Sequence, residues 1–163
     1  MGKKVFAERM TARSDESYVV FLIGMRVNNP FAIHRWFPVF LAMPKMLREL
    51  HIHRELGFKS YESWFGRTSI MVQYWESPEK LIAYAKAADS EHLPAWRAFN
   101  RAAKSPAVGI WHETYVIDPG KSESVYKNMP VFGFGKVGNH TPAIGRLNSA
   151  TERLQNSKNG SDE

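Results

Sequence analysis

The run Ser17–Val27 (SYVVFLIGMRV) is apolar on both of its faces, and no other stretch constrains the fold so tightly. Alternation puts Val19, Phe21, Ile23 and Met25 on one side, and Tyr18, Val20 and Leu22 on the other. A strand of this kind belongs to a sheet covered on both sides. The chain that must supply the covers has 163 residues, one domain's worth rather than two. At that size a folded chain buries roughly 70% of the surface its unfolded form exposes, enough for a true core.

The flanking residues set a β-α-β-β-α-β order. Asn28-Asn29-Pro30 makes a turn and a helix start, and a helix from about Pro30 to Glu55 follows, with Gly57 as its stop. Pro38 and Pro44 are expected to kink or interrupt it. Tyr61–Phe65 and Thr68–Trp75 read as neighbouring strands joined at Gly66-Arg67. Ser77-Pro78-Glu79 caps a second helix to about Ala88, and Asp89-Ser90-Glu91 restarts a third to about Lys104. Ala107–Ile117 is the last long strand, ended by Asp118-Pro119-Gly120. This is an α+β chain in the ferredoxin-like arrangement.

Beyond it, Ser122–Asn128 reads as a short strand. Met129–Pro142 is irregular yet carries Val131, Phe132, Phe134 and Val137, so it is expected over a pocket mouth or across a partner subunit. Residues 1–142 are read as the domain with its C-terminal arm. Residues 143–163, nearly devoid of apolar side chains, are read as a disordered tail. Helices on one face of an antiparallel sheet leave the other face to be covered. A second copy is the simplest cover, giving a homodimer around a barrel interior suited to an apolar ligand.

Composition narrows the chemistry. The chain has no cysteine, which removes disulfides, thiolate metal sites and cysteine nucleophiles and fits a cytoplasmic address. Met1–Glu8 has two lysines but no apolar core, so no secretory signal is read there. Phe31–Leu50 is interrupted by Arg35, Pro38, Pro44, Lys45 and Arg48, unlike a membrane span. The net charge of +6 comes from basic residues scattered among acids, so no nucleic-acid partner is expected.

Three motifs are set aside. Gly133-Phe-Gly135-Lys-Val-Gly138 matches a dinucleotide fingerprint but lacks room for the helix, strand and acid that must follow it. His51-Ile-His53 diverges on a helix and is a poor zinc pair. No nucleophile elbow is present.

The leading chemical candidate is Trp111-His112-Glu113-Thr114-Tyr115 on the last strand. Alternation sends His112 to one face, and Trp111, Glu113 and Tyr115 to the other. Either His112 or Glu113 is a candidate general base, and either also suits a plain structural hydrogen bond. His92 and Trp96 share a helix face at i,i+4, with His92 a second catalytic candidate or a helix-start hydrogen-bonding residue. Trp64, Arg67 and Trp75, with Asn128, offer aromatic walls and a cation for a substrate. Rings this numerous also build cores and interfaces.

Several words of this chain resemble one family. They are FLIGMRVN (21–28), AMPKML (42–47), WFGRT (64–68), QYW (73–75), EHLPAWRAFNR (91–101), GIWHETY (109–115) and YKNMP (126–130). The family is that of the fumagillin-pathway monooxygenase of fungi and its bacterial relatives, and the likeness covers about residues 4–142. It implies a dimeric α/β barrel related to the antibiotic-biosynthesis monooxygenases. Related barrels include cofactor-free oxygenases and haem enzymes. The resemblance therefore implies a small monooxygenase, either cofactor-free with a His or Glu base or haem-assisted with His112 or His92 as axial ligand. The competing reading is a non-catalytic dimeric protein that binds haem or a small apolar ligand.

Overall fold

The computed structural model describes residues 3–87 and 104–155. In chain order these form β1 (Phe6–Arg13), β2 (Tyr18–Val27), α1 (Ile33–Ile52), β3 (Phe58–Trp64), β4 (Ile70–Trp75) and α2 (Pro78–Lys86). Then follow β5 (Val108–Ile117), β6 (Tyr126–Met129), β7 (Asn139–Pro142) and α3 (Ala150–Gln155). The third helix expected from Asp89 lies outside the described residues.

The strand that is apolar on both faces lies inside its sheet. The order is β3-β4-β2-β5, all antiparallel, with α1 between β2 and β3 and α2 after β4. This is the ferredoxin-like α+β arrangement expected from the sequence. The odd-numbered face of β2 lies under α1. Val19 shares a core with Leu50, Phe58, Trp75, Leu81 and Tyr84, and Met25 packs with Val39 and Val108. Tyr84 Oη donates to Glu49 Oε2 at 2.9 Å, fastening α2 to α1.

Local signals act as the sequence predicts at two helix ends. Ser77 Oγ accepts from the Lys80 amide at 3.3 Å with Pro78 in the first turn, and Gly57 takes φ +86 after a 3-10 turn at Arg54–Leu56. The prolines of α1 do not interrupt it: a single helix spans Ile33–Ile52 with Pro38 and Pro44 inside. Each proline forfeits one backbone hydrogen bond. Val39, Ala42 and Leu50, buried along the length of the helix, hold it to the sheet across both sites.

The other face of the sheet is partly covered from within the same chain. β1, a strand the sequence reading lacks, pairs with β6 and β7 in a second antiparallel sheet of order β6-β1-β7. Its sequence, FAERMTAR, buries only Met10, Thr11 and Ala12, so its alternation is too weak to announce a strand. A 3-10 turn at Gly133–Lys136 sets Phe134 against Tyr18 and Tyr74. The arm 129–142 therefore folds onto its own sheet. Lys136 pairs with Glu62 at 2.6 Å, and the same carboxylate accepts from the Gly133 amide at 3.0 Å.

Residues 143–155, expected within a disordered tail, instead carry a buried Ala143, a 3-10 turn at Gly145–Asn148 and α3. Arg153 is buried there. Its guanidinium meets Glu123 at 2.8 Å and donates to the carbonyls of Leu147 and Asn148. No helix among the described residues is long and apolar enough to cross a membrane.

Candidate functional site

A cavity of about 570 Å³ lies between α1 and the sheet. From α1 come Val39, Phe40, Met43, Leu47, Arg48 and His51, spaced so that they share one helix face. The sheet contributes Ile23 and Met25 from β2, Tyr61 and Ser63 from β3, and Met71 from β4. The volume suits a small molecule, and the methionines give walls that adapt to its shape.

Polar groups are few: Arg48, His51, Tyr61, Ser63 and Ser69. Arg48 and His51, both exposed, are one turn apart in the C-terminal half of α1. His51 Nδ1 lies 2.8 Å from the Leu47 carbonyl, and its ring meets Phe58 and Tyr61 edge-on at 5.8 and 5.7 Å between centroids. His53 pairs with Glu55 at 2.9 Å; a local backbone hydrogen bond, and then this contact, hold that carboxyl below its usual range. Among the described residues no group of three metal-ligating side chains occurs.

The sequence candidates do not gather into one site. Ile23 and His112 are direct partners in the β2–β5 ladder, so His112 is on the α1 side of the sheet. Its ring lies 5.8 Å from Phe21, exposed, and it does not line the cavity. Glu113 and Tyr115 are on the opposite face, where the Tyr115 hydroxyl donates to Glu113 Oε2 at 2.6 Å. That acceptor stabilises the neutral phenol and raises its pKa. Trp111 is also on that face, its indole nitrogen beside Gly24.

Trp75 is core: 1% exposed, its indole donating to Gln73 Oε1 at 2.9 Å. Arg67 holds the end of β2, with Nε 3.3 Å from the Val27 carbonyl. Trp64 stands half exposed beside Phe132, and Asn128 is an exposed left-handed residue of β6 at φ +54. His92 and Trp96 lie outside the described residues.

Arg48, His51, Met43, Tyr61 and Met71 were not singled out as site residues by sequence reasoning. The available signal was the spacing Phe40, Met43, Leu47, His51 along α1, which places an imidazole at the end of an apolar stripe. For haem, the sequence's candidate ligand His112 does not fit this cavity, since it lies outside the lining.

Comparison with known proteins agrees with this architecture. Aldoxime dehydratase matches in structure with a TM-score of 0.59 and 20% identity, over 85% of this chain and 44% of that one, a likeness of fold. Monooxygenase af470 of Aspergillus fumigatus is 28% identical over 158 residues, 90% of this chain and 51% of that protein. The chain thus spans about half the length of the curated relative it matches. The family model for monooxygenase af470-like proteins matches residues 18–134, from the start of β2 through Phe134. The chain belongs to the monooxygenase af470-like family.

Proposed function

We propose that this chain is a monooxygenase acting on an apolar small molecule held between α1 and the sheet, with molecular oxygen as the oxidant and no bound cofactor. The observation that carries the reading is the cavity of about 570 Å³, apolar except at Arg48, His51, Tyr61 and two serines. Family membership supports the same reaction class. A side-chain base removes an acidic proton, and the substrate anion supplies the electrons. Addition to oxygen forms a C–O bond and a hydroperoxide, which loses water to leave a carbonyl. The protein's part is to hold the substrate away from water and to stabilise the anion.

A cytoplasmic homodimer belongs to the same proposal. The arm leaves part of the outer sheet face uncovered, including half-exposed Trp64 and Tyr115. A second copy laid there would complete the cover that a two-sided apolar strand requires.

Oxygen uptake with a panel of polycyclic phenols tests the reading. The expected result is uptake by the native protein and at least a tenfold loss in Met43→Trp, which fills the cavity, with an unchanged circular dichroism spectrum. Tight binding of the same compounds without uptake would make the chain a binding protein instead.

A further inference from the structure

We infer that Arg48 and His51 form a hydroxyl-recognition pair at the cavity, selecting an apolar molecule that carries one acidic O–H, a phenol or an enol. The inference rests on the reading of the cavity as the substrate site and names the substrate class and the residues that read it.

The imidazole has its tautomer set by its own helix. A carbonyl oxygen only accepts, so the 2.8 Å contact of His51 Nδ1 with the Leu47 carbonyl requires the hydrogen on Nδ1. In the neutral ring, Nε2 then carries a lone pair and accepts. The rings of Phe58 and Tyr61, both edge-on, fix the plane of the imidazole. Among the described residues, Nε2 has no hydrogen-bond partner.

Arg48 supplies the complementary group. It lines the same cavity and stands three residues before His51, on the same side of α1. Arg48 is exposed, and among the described residues its guanidinium makes no hydrogen bond or ion pair. A guanidinium only donates. Two residues lining one cavity a helical turn apart thus offer one acceptor and one cationic donor.

That combination discriminates between acidic ligands. A hydroxyl donates its hydrogen to Nε2 while its oxygen accepts from Arg48. An ionised carboxylate has no hydrogen to give and faces the Nε2 lone pair with its own. Proton transfer from the hydroxyl to Nε2 leaves an imidazolium and an oxyanion, with the negative charge on the oxygen held by Arg48. No electron moves in this step and no bond other than O–H breaks, so it is the step that prepares the anion for oxygen.

Calorimetric titration of the full chain with 2-naphthol, naphthalene and 2-naphthoate tests the inference. The native protein is expected to bind 2-naphthol at least tenfold more tightly than the other two, with a naphtholate absorbance band on the bound ligand at pH 7. His51→Phe, which keeps the ring, and Arg48→Met, which keeps the stem, are each expected to lose that preference while binding naphthalene within twofold of the native protein. Unchanged naphthol affinity in both variants, or a preference for naphthoate, would overturn the pair. So would a Soret band in the purified protein that vanishes in His51→Phe, since Nε2 would then serve iron. Failure of all three compounds to bind would instead count against the cavity as the site, and the pair would fall with it.

Discussion

The ring of Phe134 lies nearly parallel to that of Tyr18, with centroids 4.5 Å apart and planes 16° apart. A residue of the arm is thereby stacked on the first residue of the central strand. The contact sits on the side of the sheet away from α1, with Ala12 in the same cluster. It makes the arm part of the domain and leaves a ligand the other side of the sheet.

Phe134→Ala should therefore cost about 3 kcal/mol, the usual loss for a buried phenylalanine. Urea unfolding followed by far-ultraviolet circular dichroism reads this as a lower midpoint. A loss below about 1 kcal/mol would mean that the arm is dispensable to the fold.

Gly24 tests the junction of β2 with the loop before β4. A Cβ there would stand 2.0 Å from the Ser69 carbonyl oxygen and 2.6 Å from the Trp111 indole nitrogen. The Ser69 amide donates to the Met25 carbonyl at 2.8 Å and the Ser69 hydroxyl accepts from the Met25 amide at 3.2 Å, so the Ser69 carbonyl cannot simply turn aside. Gly24→Ala should cost about 1–3 kcal/mol by overpacking. Gly66→Ala, whose nearest neighbour would be 3.6 Å away, should stay within about 0.5 kcal/mol of the native protein.

Much of this fold is visible in the sequence because its determinants are local. The alternation of β2, the Ser77-Pro78 cap and Gly57 each report on a few neighbouring residues. Strand β1 escapes such reading because Glu8 and Arg9 interrupt its pattern, and its partners, β6 and β7, lie more than a hundred residues away. The site was harder to read for a related reason. His112 and Trp75 carry recognisable chemistry, yet His112 stands on the edge strand β5, outside the cavity lining, and packing puts Trp75 in the core. His51 looks like half of a poor metal pair until the helix face it shares with Met43 and Leu47 is seen against the sheet.

Alkaline pH should weaken the fold through its tyrosines. Burial pushes the Tyr74 hydroxyl up to about 12 from the ordinary 10, and burial also raises Tyr18. The folded chain therefore keeps protons that the unfolded chain releases. The stability they confer is complete below pH 10 and is lost as pH rises from 10 toward 12. The urea midpoint should fall across that interval, and less steeply in Tyr74→Phe. An equal slope in the variant would show that Tyr74 titrates as it does in the unfolded chain.

The buried Arg153 predicts that residues beyond 142 matter to stability. Arg153→Met removes the pair with Glu123 and the bonds to two carbonyls, and should cost about 2 kcal/mol. For a chain of this size that is a fall of roughly 4–8 °C in melting temperature. A chain ended at residue 142 should lose at least as much. Equal melting of the native and shortened chains would contradict the placement of α3.

Where the ligand sits is the central claim, and a crystal structure with a bound polycyclic phenol tests it most directly. The account predicts electron density between α1 and the strands β2 to β4, against Met43, Leu47 and Met71, with the hydroxyl at Arg48 and His51. Density on the opposite face of the sheet, beside Trp111, Glu113 and Tyr115 and between two copies of the chain, would contradict it.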